Sequence, residues 1–246
     1  MFGRNLRFQR IIIACLSGLI FILAIQPIRA IGTWELRAPS IRAATVKSGV
    51  TQLRQPRRFV MPSVGAPGNR SDAATRQDCS VPGKYLTALV PPKDINFTRA
   101  AHPTLWFYVP FSPSQNRSVE LRLNDEAGNL FYTTQFPWNS KPGIIGIRLP
   151  ESKTLEEGKR YRWIFSYICN PSSREEDDFR VSGSIERVLA NSPYIATGLW
   201  YETLTELAQL QIQEPENSTV AAEWRTLLEQ VELPQLISEP VLKEIN

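Results

Sequence analysis

Catalytic chemistry has few places to reside in this chain. His102 is the only histidine among 246 residues. It precedes Pro103 at the start of an alternating apolar run, where it reads as a turn or edge residue rather than a base. G-x-S-x-G, HExxH and phosphate-loop motifs do not occur. Glu175, Glu176, Asp177 and Asp178 form an acidic run, but it lacks the spaced ligands and glycine of an EF-hand loop, so it reads as a solvated charge cluster. Glu120, Asp125 and Glu151 could supply a glycosidase pair only if folding set two of them at the right separation. Trp106, Tyr108 and Trp138 could form an aromatic platform for a sugar or peptide, although aromatics on strands are more often core. The residue types therefore predict no catalytic residue, no metal ligand set and no cofactor.

Cys79 and Cys169 carry the one covalent expectation. Cys15 lies in an N-terminal segment that resembles a secretory signal: Arg4, Arg7 and Arg10, a fifteen-residue apolar run at 11–25 broken only by Ser17, then Pro27 and a small residue at Ala30. Cleavage after Ala30 is expected. The run is shorter than the roughly 20 residues of a membrane span, which is the rival reading, and a lipidation box at Cys15 fits poorly. Two cysteines then remain in an exported chain, and the compartment favours a Cys79–Cys169 disulfide.

Charge sorts by region. The formal net charge is +4, and Arg4, Arg7, Arg10 and Arg29 of the signal account for all of it. Residues 31–78 hold eight basic residues against Glu35, Asp72 and Asp78, while residues 79–246 carry 16 basic and 21 acidic residues. A basic tail on an acidic body removes the electrostatic case for nucleic-acid binding by the folded part. Membrane contact is expected only through an uncleaved signal segment or the basic tail.

The elements that must position these residues follow from period. Residues 31–78, with Pro39, Pro56, Pro62 and Pro67, read as a flexible basic linker. From 79 to 189 short alternating runs occur at 86–90, 104–109, 118–123, 130–136, 143–149, 160–169 and 179–188. Seven such runs with a turn signal about every ten residues predict an antiparallel, immunoglobulin-like β-sandwich. In the sixth run Tyr161, Trp163, Phe165, Tyr167 and Cys169 share one face, with Arg160, Arg162 and Ser166 on the other. Gly158 three residues before Tyr161 resembles a tyrosine corner, in which a phenol pins upstream backbone at a sandwich edge. After residue 190 the period becomes helical: Asn191-Ser192-Pro193 starts one helix and Pro215 stops it, then Asn217 or Ser218 caps a second that ends near Pro234. This hairpin, 190–246, is expected to pack on the sandwich.

The segments LTALVPP, HPTLWFYVPF, DEAGN, Lys141-Pro142-Gly143-Ile144, LEEGKRYRWIFSYICNP, GSIERV, GLWYETLTELAQL and AAEWRTLLEQVEL, in that order, resemble an exported cyanobacterial family catalogued as domain of unknown function 928. The resemblance spans about residues 84–235. It implies a Gram-negative envelope setting (periplasm, outer membrane or exterior) and carries no assigned activity, cofactor or site residue. Together these readings predict a non-enzymatic, exported envelope protein that binds or assembles with an envelope protein partner. A carbohydrate-binding module using Trp106, Tyr108 or Trp138 is the alternative, and an envelope hydrolase a remote one.

Overall fold

The computed structural model describes residues 68–72, Cys79, 81–92, 97–114, 116–172, 178–192 and 199–245. The chain divides into two units, Met1–Gln52 and Leu53–Asn246, and the described residues all belong to the second. The predicted signal segment, most of the predicted linker, and residues 193–198, where the first helix was expected to start, lie outside them.

Among the described residues, ten strands form two five-stranded sheets. The first has the order β1 (Ser71–Asp72), β2 (Leu86–Ala88), β4 (Thr104–Val109), β7 (Gly143–Arg148), β10 (Val241–Ile245). The second has the order β3 (Phe97–Thr98), β9 (Phe179–Arg187), β8 (Arg160–Ile168), β5 (Ser118–Asn124), β6 (Leu130–Pro137). The seven longer runs fall where alternation places them, and their partition, β2-β4-β7 against β9-β8-β5-β6, is a Greek-key sandwich of immunoglobulin type. Sequence and packing agree because each strand offers one apolar face to the other sheet. Phe107 of β4 stacks on Phe165 of β8 with centroids 4.0 Å apart, and meets Trp163 edge-on at 5.6 Å. Phe111 stacks on Tyr167 at 3.9 Å.

Two helices follow, α1 (Trp200–Gln213) and α2 (Ser218–Gln230). Asn217 caps α2: its side-chain oxygen accepts from the backbone N–H groups of Thr219 and Val220 at 3.0 and 3.3 Å. α1 buries Trp200, Tyr201, Leu204, Leu207 and Ala208, and α2 buries Val220, Trp224, Leu227 and Leu228. α2 also buries Glu223, whose carboxylate finds no hydrogen-bond partner among the described residues. The surrounding apolar contacts must outweigh that desolvation.

Two expectations need correction. Residues 190–246 hold more than a helical hairpin, because after a 3₁₀ turn at Pro234–Leu236 the chain returns as β10, parallel to β7. Gly143 of β7 permits this, while Gly146 makes room for Trp106 of β4. A Cβ at Gly143 would lie 2.6 Å from the Leu242 side chain, and one at Gly146 would lie 2.9 Å from the Trp106 ring. The linker expected over 31–78 also stops short of residues 69–72. Asn69 bridges to Ser182 in the second sheet, while Ser71 and Asp72 pair with Thr87 and Leu86 in the first. Arg70 donates to the carbonyl of Val231 at 2.7 Å, just past the end of α2. Four residues thus lace both sheets to the hairpin, which composition alone does not reveal.

Cys79 and Cys169 form a disulfide with Cα atoms 6.0 Å apart, closing a separation of 90 residues. A bridge of that span stabilises by about 4–5 kcal/mol in the chain-entropy account. Urea denaturation of the Cys79→Ser/Cys169→Ser protein is expected to show that loss as a lower midpoint, with a larger m-value because the unfolded chain without the crosslink exposes more surface. A loss under about 1 kcal/mol would contradict the assignment of the bridge as a principal fastening.

Candidate functional site

Most of the candidate site residues turn out to be structural. Trp106, Tyr108 and Trp138 are 1%, 2% and 2% exposed, so they present no platform to a sugar or peptide. The cause is that β4 is covered on both sides. Leu105, Phe107 and Val109 face the second sheet, while Trp106 lies under α1 and donates its indole N–H to Thr205 Oγ1 at 3.0 Å. Trp138 donates to the Phe111 carbonyl at 2.7 Å. Tyr108 lies beside the Lys84–Glu239 ion pair (2.9 Å), and burial raises its phenol pKa above the ordinary value.

The corner at Gly158 and Tyr161 has the anticipated geometry. Gly158 sits at φ +76°, a conformation a side chain would strain, and the Tyr161 hydroxyl accepts from the Glu156 backbone N–H at 3.2 Å. His102 is engaged at both nitrogens: Nδ1 lies 3.1 Å from the Pro150 carbonyl and Nε2 3.4 Å from Glu151. Of the acidic run, only Asp178 is described. It is 1% exposed and paired with Arg180 at 3.4 Å, so it is not a solvated charge. Glu120 and Asp125 stand five residues apart along β5 and its turn. That is about 16 Å of extended chain, beyond the span of a glycosidase pair. Asp125 is occupied within its own turn, accepting from the Asn129 amide and backbone N–H at 3.1 and 2.8 Å, which holds its pKa below the usual carboxylate range.

The junction of α1 with the sandwich gathers the densest polar contacts. Glu202 Oε1 accepts from Thr98 Oγ1 (2.7 Å), Arg99 N (2.7 Å) and Ala100 N (3.1 Å). Glu244 of β10 accepts from Thr104 Oγ1 at 3.1 Å and Gln209 Nε2 at 2.8 Å. Trp200 donates to the Leu89 carbonyl at 2.8 Å. A cavity of about 260 Å³ remains beside them, lined by His102, Arg148, Glu202 and Gln209 among others. Through Glu202 Oε1 and both oxygens of Glu244, the cluster fastens α1 to the sandwich.

The chain belongs to the Domain of Unknown Function (DUF928) family, which matches residues 71–241. That match takes in the lacing strand β1 and reaches the start of β10, beyond the segments that resembled the family in sequence. No curated protein matches the chain. The DUF928 domain therefore has to be read from its surface.

One surface is distinctive. The hairpin covers the outer face of the first sheet, whereas the outer face of the second carries polar side chains along β5, β6, β8 and β9. Arg122 on β5 and Arg162 on β8 are exposed there, and neither guanidinium has a partner among the described residues. Their registers, Arg122 against Ile164 and Asn124 against Arg162, make them diagonal neighbours. Arg160 is held by Glu186 at 2.9 Å. A groove of about 530 Å³ beside them is lined by Asn124, Asp125, Arg160, Arg162 and Ser184 among others. Alternation already placed Arg160 and Arg162 on the outward face of their strand. Arg122 joins them only through the strand register, which a single sequence does not display.

Removing the Glu202 carboxylate should leave three donors unmet. Glu202→Ala is expected to cost about 2–3 kcal/mol in thermal or urea denaturation, with Glu202→Gln, which keeps the acceptor, costing clearly less. Equal stability of wild type and Glu202→Ala would contradict the fastening role.

Proposed function

We propose that this DUF928 protein is exported to the cell envelope and acts there as a non-catalytic protein-binding or assembly module, with the outer face of the second sheet as its contact surface. The observation that carries this reading is the unequal coverage of the sandwich. One outer face is closed by helices through tryptophan and glutamate contacts, and the other exposes two arginines that have no partner among the described residues. Arg122 and Arg162 repel each other there, a cost that binding a partner would offset, and Glu120, two residues from Arg122 on the same face, is only 8% exposed and already engaged.

Export rests on two supports: the basic, apolar and small-residue order of the first thirty residues and the Cys79–Cys169 disulfide. The basic tail then serves as a tether, and the setting implied by the family resemblance is a cyanobacterial envelope.

Photo-crosslinking in the native host tests the reading. A benzoylphenylalanine at Arg122 or Thr133 is expected to give discrete protein adducts in the envelope fraction, and one at the exposed Glu229 of α2 is not. Adducts at Glu229 alone, or a protein retained in the cytoplasm with reduced thiols, would overturn it.

A further inference from the structure

The second sheet ends at β6, with no described strand beyond it. Which of its peptide groups face outward follows from the ladder. Trp138 N–H donates to the Arg117 carbonyl at 2.8 Å, which makes Arg117 and Trp138 a hydrogen-bonded pair. Stepping by two along the register, Val119–Phe136, Leu121–Thr134 and Leu123–Tyr132 are also bonded pairs. Glu120–Gln135 and Arg122–Thr133 are then the alternate pairs, whose β6 members aim N–H and C=O away from β5. Thr133 and Gln135 thus present main-chain donors and acceptors at an open edge, and both residues are exposed.

Sheet edges are ordinarily guarded by charge, proline, bulges or a covering element. Residues 127–140 contain no charged residue. A register shift between Leu123 and Asn124 marks a bulge at one end, and Pro137 closes the other. The guards bracket the window Tyr132 to Phe136 and leave it unguarded.

We propose that this window accepts an extended acidic peptide segment as an additional strand, with a glutamate or aspartate opposite Thr133 paired to Arg122. The reading deepens the proposed binding function and rests on it. Two independent features favour a peptide. The open peptide groups of Thr133 and Gln135 match another main chain. Arg122, cross-strand neighbour of Thr133 on the same face, then meets the acidic side chain of the added strand. That strand would lie two spacings from β5, about 9.5 Å, a gap that an arginine and a glutamate leaning across Thr133 close together. A second copy pairing β6 to β6 would bring only Thr133 and Gln135 to that face and leave Arg122 uncompensated.

Fluorescence anisotropy on the oxidised full-length protein, with a labelled alternating valine–glutamate decapeptide and its valine–lysine counterpart, tests the proposal. The glutamate peptide is expected to bind at least tenfold more tightly, and Arg122→Glu to reverse that preference. Thr133→Pro removes an outward N–H without touching the β5 ladder, so it should weaken binding at least tenfold while the Tm stays close to wild type. Arg122→Glu serves as the arm that does not depend on a proline being accommodated. Failure of both peptides to bind, unaltered preference in Arg122→Glu, binding of polygalacturonate in place of peptide, or a β6-mediated dimer in light scattering would each overturn the proposal. Envelope crosslinks at Arg122 that persist despite such a failure would leave the binding function standing and remove only strand addition.

Discussion

Strand β4 is apolar on both faces, and much of the architecture follows from covering it. Leu105, Phe107 and Val109 are satisfied by the second sheet, as in any sandwich. Trp106 and Tyr108 point the other way, and an exposed tryptophan and tyrosine in mid-sheet would leave a large apolar area in water. The helical hairpin supplies the cover. Gly146 lets the Trp106 ring lie flat across β7, Thr205 takes its N–H, and Trp200 anchors the start of α1 to Leu89. β10 extends the same sheet, and its Glu244 ties Thr104 to Gln209 across the junction.

That constraint accounts for both what the sequence disclosed and what it hid. Period two along 104–109 and 160–169 was enough to locate strands and assign faces, because inward positions are repeated aromatics. The same aromatics misled about function: Trp106 and Tyr108, on the face opposite the sandwich core, look like a ligand platform until the helices that cover them are placed. The corner at Gly158 and Tyr161 and the Asn217 cap were legible because each is a local contact within five residues. β10 was not, since Val241–Ile245 is short, mixes Lys243 and Glu244 with apolar residues, and acquires its strand conformation only by pairing with β7. The strap at 69–72 is similar, with two paired residues in a segment of tail-like composition.

The same distinction governs the surface. Arg162 could be assigned to an outer face from alternation, but its nearness to Arg122, and the outward peptide groups of Thr133 beside it, depend on register between strands. Among the described residues, helices close the outer face of the first sheet, and the window Tyr132 to Phe136 of β6 is an edge without charge, proline or bulge. The acids elsewhere, Glu202, Glu244 and Asp178, are already committed to internal donors.

Residue-resolved amide hydrogen exchange on the oxidised full-length protein is the most direct test of this asymmetry. The amides of β4 and β7, between paired strands and under helices, should exchange only through global unfolding, while those of Thr133 and Gln135 should exchange within about tenfold of the unfolded rate. Protection at Thr133 and Gln135 matching that of β4 would contradict the account, because the second sheet would then be closed as well.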